Sequence, residues 1–538
     1  MITITNEILN SIEDFKNKLQ QYKEGKFENL KSFSPIMGIY KERLTDTYMI
    51  RPRIAGGVTT IKQLESISKI AKKFEGVKIR FTTRQDIQFH SVKVDYLDDM
   101  LDELVKIGLI TKGAGGDGIR NIACSPLSGV SKDEVFDVTP YMNEVTNYMM
   151  KNPENRKLPR KYKIAFSNSP EDTANATIAD IGFIAKIVQG KKGFEVYAGG
   201  GLGGGARVAL KLEDFIDDTE ALYYAQAMKQ VFEREGDRTN RQKARLRFVV
   251  QRLGEEKFIE MFRKELHILK GEQDLYLNLE LKEEVIKNDL EDNELLWENK
   301  YENIIYPQRK SGYYSLYIHP RSGDINTNDL DKVLDFLNSL NYEISIRLTM
   351  TQGFFVRDLL LKDVERLIAI TSNFSSTFNL YNSVTCVGPR VCNFGINNSK
   401  GLYNNIIEAF KYTSNDIKSA LPRLLIAGCH NSCAQPQKGL IGFIGKRKRT
   451  DDGLIPVYSI SFNGRVGAGG AKFGKVSGEI PAKKIAEFLL ELAQLKVSSS
   501  NLDFAYFLEN KEVRVIELVT KYSSLESFSA NPDLYSDF

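Results

Sequence analysis

Apolar residues repeat with helical spacing in two distant segments of the chain. They fall at Leu64, Ile67, Ala71 and Phe74, and again at Leu330, Val333, Leu334 and Leu337. A step of three or four residues puts them on one face of a helix. A helix is also predicted over 97–105, and short apolar runs near 78–83, 162–166 and 194–198 predict strands. Helices thus mix with strands, which is typical of an α+β protein.

The two helices belong to a repeat that runs through the whole chain. IRFTTRQ at 79–85 resembles IRLTMTQ at 346–352, and LPRKYKIAF at 158–166 resembles LPRLLIAG at 421–428. The glycine-rich YAGGGLGGG (197–205) likewise resembles FNGRVGAGG (462–470). Matches in the same order predict an internally duplicated α+β fold with its halves in a pseudo-twofold arrangement. We expect a functional site where the halves meet.

Composition narrows the possible functions. Lys and Arg total 74 and Asp and Glu total 70, a net charge of +4, so an all-basic nucleic-acid-binding surface is not expected. No apolar run is long enough to span a membrane, and the first residues lack the pattern of a signal peptide. A cytoplasmic location is predicted. The five cysteines, an odd number, do not favour a disulfide framework.

Four of the cysteines form two clusters in the second half. Cys386 and Cys392 lie in TCVGPRVC, and Cys429 and Cys433 lie in GCHNSC. A [4Fe–4S] cluster needs four thiolates, whereas zinc sites usually use C-x2-C pairs. The spacing therefore favours an iron–sulfur cluster. At the matching place the first half reads FSNS (166–169), so only one copy has this site.

The first half instead carries cations where the second half is mostly neutral. They are Arg51, Arg53, Arg84, Arg120, Lys161 and Lys163. Arg51 and Arg53 are two positions apart, as are Lys161 and Lys163, which predicts that each pair lies on one face of a strand. A group of cations beside glycine-rich turns indicates a polyanionic ligand or a small oxyanion.

These motifs resemble the sulfite/nitrite reductase family, whose members contain sirohaem and a [4Fe–4S] cluster. The resemblance spans residues 36–500 and includes RPRIAGGVTT (51–60), TTRQDIQFH (82–90) and GCHNSCAQP (428–436). It implies two ferredoxin-like units and two larger α+β units that bind sirohaem and the cluster. The expected domains are 1–112, 113–282, 283–375 with a linker at its start, and 376–538.

The resemblance also implies a role for each candidate residue. Cys386, Cys392, Cys429 and Cys433 would hold the cluster, and Cys433 would bridge to the sirohaem iron. Arg51, Arg120, Lys161 and Lys163 match the family's substrate-side cations. Arg84, Gln88 and His90 match the wall that binds the macrocycle. Sirohaem has eight carboxylates, so a basic pocket is physically reasonable.

The substrate is predicted from one motif. Arg160-Lys161-Tyr162-Lys163 resembles sulfite reductases, whereas nitrite reductases usually have Asn at the second lysine. We expect six-electron reduction of sulfite to sulfide with electrons from ferredoxin, with reduction of nitrite to ammonia as the alternative. A non-catalytic zinc protein that binds RNA is a remote third. The basic run 446–449 is either an exposed loop between strands or a docking patch for ferredoxin.

Overall fold

The computed structural model describes residues 4–152, 155, 157–279, 301–499 and 503–538. The predicted linker lies outside the described residues as far as position 300. The four domain boundaries stay a prediction.

Strands and helices are mixed throughout the first half. Its strands are β1 (Ile39–Lys41), β2 (Thr47–Ile50), β3 (Val58–Thr59), β4 (Lys78–Phe81), β5 (Ile87–Lys93), β6 (Ala123–Cys124), β7 (Ile164–Ser167), β8 (Ile181–Val188), β9 (Lys191–Ala198) and β10 (Leu210–Asp217). Its helices are α1 (Asn6–Lys23), α2 (Ile61–Lys73), α3 (Leu97–Lys106), α4 (Thr139–Lys151), α5 (Ala221–Glu235), α6 (Leu246–Leu253) and α7 (Glu255–Glu272).

The second half repeats this plan. Its strands are β11 (Ile305–Pro307), β12 (Tyr313–Ile318), β13 (Asp324–Ile325), β14 (Ser345–Leu348), β15 (Phe354–Leu360), β16 (Val384–Thr385), β17 (Leu424–Ala427), β18 (Ile441–Thr450), β19 (Gly453–Phe462) and β20 (Lys475–Pro481). Its helices are α8 (Thr327–Asn338), α9 (Leu361–Thr371), α10 (Ser399–Phe410), α11 (Asn415–Ser419), α12 (Ile485–Ser498), α13 (Phe504–Asn510) and α14 (Glu512–Tyr522).

The described strands form four five-stranded sheets in two matching pairs. Two sheets are fully antiparallel, in the orders β1-β2-β5-β4-β13 and β11-β12-β15-β14-β3. The other two are mixed, in the orders β10-β9-β8-β7-β6 and β16-β17-β18-β19-β20. Three neighbouring strands in each mixed sheet run parallel: β6, β7 and β8 in one, and β16, β17 and β18 in the other. The duplicated α+β fold expected from the sequence is therefore confirmed.

Each antiparallel sheet is completed by a strand from the other half. Strand β3 pairs with β14, where Val58 faces Arg347, and β13 pairs with β4, where Asp324 faces Arg80. The two sheets consequently share one apolar core, in which the rings of Phe81 and Phe354 lie 5.2 Å apart. Each mixed sheet has a core of its own.

The predicted elements agree with the structure except at three places. One is the strand expected near 162–166, which begins at Ile164 as β7, so that Lys161 and Lys163 precede it. The helices expected at 62–74 and 97–105 are α2 and α3, and the strand near 194–198 is β9. Arg51 and Arg53 do not share a strand face, because β2 ends at Ile50 and Pro52 cannot continue its hydrogen bonds. The run 446–449 belongs to β18 and is not a loop.

Candidate active site

The two lysines of the candidate site are directed by the tyrosine between them. Tyr162 is fully buried, and its ring stacks on Phe232 with centroids 5.8 Å apart. Side chains of extended backbone alternate between faces, so Lys161 and Lys163 both point away from this core. Arg120 joins them because its backbone N–H donates to the Tyr162 carbonyl at 2.8 Å.

Arg120 and Arg51 converge on one backbone carbonyl. The Nη1 atoms of Arg120 and Arg51 donate to the Ala114 oxygen at 2.7 and 3.3 Å. With its amide oxygen turned toward Arg51, Gln88 accepts from Nη2 at 2.6 Å. Burial lowers the pKa of Arg120, and the nearby Arg51 lowers it further. Two guanidinium groups are thus held side by side against their mutual repulsion.

The lysine ammonium groups lack protein counter-ions. Among the described residues, no hydrogen bond or ion pair to either Nζ is found. Burial, with Arg245 and Arg120 nearby, lowers the pKa of Lys161 to about 7. Burial and the same Arg245 hold the pKa of Lys163 well below its usual range. An anion in this space would restore the charge of both lysines.

Asp180 fixes this cationic wall from behind. Its fully buried carboxylate accepts from the Lys163 backbone N–H at 2.8 Å and from Arg245 Nη2 at 2.8 and 3.0 Å. It thereby fixes the backbone at Lys163 and the guanidinium group of Arg245 relative to each other. Arg245 was not singled out from the sequence. Its signal was the alternation of cations in RQKARLR (241–247), which also contains Arg247.

Several guanidinium nitrogens point at no protein acceptor. In the part of the chain that the structure describes, these buried atoms without a hydrogen bond include Arg84 Nε, Arg120 Nε, Arg245 Nε and Arg247 Nη1. Arg84 reaches the mixed sheet through Nη2, which donates to the Ile164 carbonyl at 2.9 Å, and burial lowers its pKa to about 10. Unmet donors of this kind fit a ligand with several carboxylates.

His90 lies apart from these cations. It is buried on β5, and its Nδ1 is 2.7 Å from Glu42 Oε1. Burial lowers its pKa. The structure therefore pairs His90 with a carboxylate, whereas Gln88, two residues earlier on the same strand, reaches Arg51.

The four clustered cysteines lie just after β16 and β17 and interact with one another. The Cys386 sulfur accepts the Gly428 N–H at 3.2 Å, and the Cys392 sulfur accepts the Phe394 N–H at 3.4 Å. Burial raises the pKa of Cys392, Cys429 and Cys433, and the neighbouring thiols raise it further. Bringing four thiols together is costly unless positive iron compensates their charge.

The thiols do not converge on a single point. Across the described residues, no three His, Cys, Asp or Glu side chains form a group that could hold one metal ion. A [4Fe–4S] cluster instead takes each thiolate on a different iron. The four cysteines match that requirement in number.

Cys433 lies between the cysteine cluster and the cations. It is exposed, yet burial raises its pKa to about 11 and Lys161 interacts with it. The charge of Lys161 acts on this thiol in the opposite direction and lowers its pKa, so the two side chains are close to each other. Thr83 Oγ1 donates to the Cys433 carbonyl at 2.9 Å, and Gln435 Nε2 donates back to the Thr83 carbonyl at 3.1 Å. The loop of Arg84 is thereby joined to the cysteine loop.

The first half contains the same loop without sulfur. Its Asn168 N–H donates to Ser125 Oγ at 3.1 Å, as the Gly428 N–H donates to the Cys386 sulfur. Thr173 Oγ1 donates to Ser125 at 2.7 Å. Hydroxyl groups thus replace thiols in this copy. The remaining cysteine, Cys124, is buried among apolar residues.

Family models match both kinds of unit. The model "Nitrite and sulphite reductase 4Fe-4S domain" matches residues 115–269. The model "Nitrite/Sulfite reductase ferredoxin-like half domain" matches 40–107 and 306–372. The chain belongs to the nitrite and sulfite reductase family. It is therefore an oxidoreductase, and membership implies sirohaem and a [4Fe–4S] cluster as its cofactors.

Relatives and a solved structure support this assignment. The chain is 27% identical to the ferredoxin–nitrite reductase of Synechococcus elongatus, over 80% of this chain and 83% of that protein. It is 26% identical to sulfite reductase [ferredoxin] 1 of Mycolicibacterium paratuberculosis, over 78% of this chain and 74% of that protein. The fold matches the Mycobacterium tuberculosis NirA protein with a TM-score of 0.75, at 23% identity, over 94% and 97% of the two chains. Family membership thus supports reduction of sulfite or nitrite.

The helices that the structure describes are short or polar in comparison with a membrane-spanning helix. None in the described part of the chain is both long and apolar enough to cross a bilayer.

Proposed function

We propose that this protein reduces sulfite to sulfide with six electrons supplied by a ferredoxin. The observation that carries the proposal is the second lysine, Lys163, which adds a cation beside Lys161 without a protein partner. Sulfite is partly a dianion near neutral pH, whereas nitrite carries a single negative charge. A site with one more positive charge is better matched to the dianion.

All the predicted residues except His90 then have a role in the proposed site. Cys386, Cys392, Cys429 and Cys433 hold the cluster, and Cys433 lies on the side that faces the cations. Sirohaem would supply an iron that binds the central atom of the substrate and passes on electrons one at a time. Arg84, with Arg245 and Arg247, offers unpaired donors to its carboxylates. Gln88 orients Arg51, whereas His90 is paired with Glu42 and is given no role in the site.

The cations act on the oxygen atoms of the substrate. Arg51 and Arg120 donate hydrogen bonds through planar guanidinium groups, which fit two oxygens at once. Each oxygen leaves as water and needs two protons. Lys161 has a pKa of about 7, so its Nζ can donate a proton and regain it from solvent near neutral pH. Lys163 holds the remaining negative charge in place.

Reduction of nitrite to ammonia is the second candidate. The relatives are mostly named ferredoxin–nitrite reductases, and one of nearly equal identity to this chain is named a sulfite reductase. Nitrite needs the same electron route and the same arginines. The predicted cytoplasmic location and the absence of a nucleic-acid partner stay predictions.

Turnover of the two substrates by the holoenzyme tests the proposal. With reduced methyl viologen, we expect a higher kcat/KM for sulfite than for nitrite. Lys163→Asn should lower kcat/KM for sulfite about tenfold or more, the effect of losing roughly 1.4 kcal/mol, and change that for nitrite much less. The matched control is Lys132→Asn at an exposed position. A preference for nitrite in the unchanged enzyme would reverse the choice of substrate, and absence of sirohaem and iron would reject both candidates.

A further inference from the structure

The loop between Cys386 and Ser399 brings a cluster ligand to the protein surface. Phe394 is 73% exposed, although its N–H donates to the sulfur of Cys392 at 3.4 Å. Cys392 and Gly395 are held in a tight turn, because the Cys392 N–H donates to the Gly388 carbonyl and the Gly395 N–H donates to the Cys392 carbonyl. An exposed aromatic ring is thus rigidly connected to a cluster ligand.

Two exposed arginines belong to this loop or contact it. Arg390 belongs to the same loop, and no ion pair or hydrogen bond to it is found among the described residues. Arg43 comes from the first half, and its backbone N–H and Nη1 donate to the carbonyls of Val391 and Gly395 at 3.0 and 2.8 Å. Arg43 is close enough to lower the pKa of Cys392. Leu44 beside it is 67% exposed.

The basic run 446–449 has less free charge than its sequence suggests. Lys446 and Lys448 both pair with Glu479, and Arg447 pairs with Asp537 at 3.3 Å. Arg449 alone in this run has no ion pair in the described part of the chain. The run is therefore a weaker attractor for an acidic protein than its composition predicts.

We propose that the face formed by Arg43, Leu44, Arg390 and Phe394 is where a small, acidic one-electron carrier protein docks. Arginine and exposed aromatic rings are the residues that most often dominate protein interfaces. The carrier would give up one electron in each encounter, and a cluster held by Cys392 would accept it. This inference rests on the proposed function for the existence of a protein donor.

Changing the charge or the aromatic ring of this face should weaken carrier binding without affecting reduction of the substrate. The variants are Arg390→Glu, which reverses a charge, and Phe394→Ala, which removes the ring. Both keep every described contact of the cysteine loop, since Phe394 contacts Cys392 through its backbone. The matched control is Arg449→Glu. The probe is an acidic [2Fe–2S] ferredoxin, titrated in its oxidised form into the holoenzyme at low and high salt.

We expect Arg390→Glu to raise the Kd of the ferredoxin about five- to tenfold at low salt, with a smaller effect at high salt. The KM for reduced ferredoxin should rise in parallel, while turnover with methyl viologen stays unchanged. Arg449→Glu should bind as the unchanged protein does.

Unaltered binding by Arg390→Glu, or a larger effect in Arg449→Glu, overturns the proposal. Loss of viologen turnover in Arg390→Glu also overturns it, because the loop then serves the cluster only. Failure of the unchanged holoenzyme to reduce either anion with viologen would count against the proposed function and not against this face.

Discussion

At the scale of single residues, some buried charged groups depend on one partner. Replacing that partner would leave a buried charge unpaired. Asp180 is the clearest case, because one buried carboxylate serves both Lys163 and Arg245. The cost of the arrangement is repulsion among cations, which lowers the pKa of Lys161 and Lys163. A bound anion, or the loss of a lysine proton, relieves this repulsion.

The stability of the cofactor-free protein should therefore rise with pH above neutrality. An unfolded chain protonates Lys161 up to a pH near 10.5, but the folded chain releases that proton at a pH of about 7. Between these values the unfolded state binds more protons, so raising the pH favours the folded state. We expect Lys161→Met to raise Tm by about 2–4 °C at pH 7 and to reduce its increase toward pH 10. Thermal unfolding at stepped pH measures this.

The control for that experiment is Lys132→Met, at an exposed position on the same half. It should leave both Tm and its pH dependence unchanged. An identical pH dependence in Lys161→Met and the unchanged protein would show that the repulsion among the cations is relieved in some other way.

At the scale of elements, the equivalent two-residue strands β6 and β16 are each held by a glutamine. Each strand leads into the loop that carries serine in the first half and cysteine in the second. Gln352 Nε2 donates to the Thr385 carbonyl and its Oε1 accepts the Thr385 N–H, both at 2.9 Å. Gln85 makes the same pair of bonds to Cys124. Both glutamines have a positive φ, 65° and 58°. Only the strand held by Gln352 leads directly into a proposed cluster ligand, Cys386.

This pair gives a matched test of how the cluster is held. Gln352→Ala should leave buried backbone groups of Thr385 without partners, at a cost of about 1–3 kcal/mol. We expect the purified variant to lose iron and acid-labile sulfide several times faster than the unchanged protein. Gln85→Ala removes the equivalent bonds in the half that has serine at the matching position, so its cluster should persist. Equal loss in both variants would mean that the glutamines stabilise the whole fold and not the cysteine loop.

The elements that could be predicted are those that local spacing determines. Helices α2 and α8 follow from a single apolar stripe each, and the cysteine loops follow from sequence motifs. The exchanged strands could not be predicted, because β3 and β13 have two residues each and pair with residues more than 240 positions away. The direction of Arg53 could not be predicted from its spacing to Arg51. Its guanidinium turns inward and donates to the Gly113 and Ile119 carbonyls. Arg245 escaped notice because its role depends on Asp180, far away in sequence.

On the scale of the whole molecule, the halves are interlocked and do not simply touch. Each antiparallel sheet takes its last strand from the other half, and both sheets share one core. Lys161 of the first half faces Cys433 of the second, so the candidate site exists only in the assembled pair. The duplication therefore divides the cations and the cysteines between two copies that depend on each other.

This interlocking predicts the behaviour of a divided chain. Residues 4–279 and 301–538, expressed together as separate polypeptides, keep every described contact between the halves. We expect a tag on one fragment to recover both in equal amounts as a single species in size-exclusion chromatography. Each fragment alone should aggregate, because it exposes its side of the shared core and lacks the strand that completes its sheet. A first-half fragment that purified alone as a folded monomer would show that β13 and the shared core are dispensable. The paired fragments should also regain the visible absorption of the holoenzyme, since the cysteines and the cations meet again only when both are present.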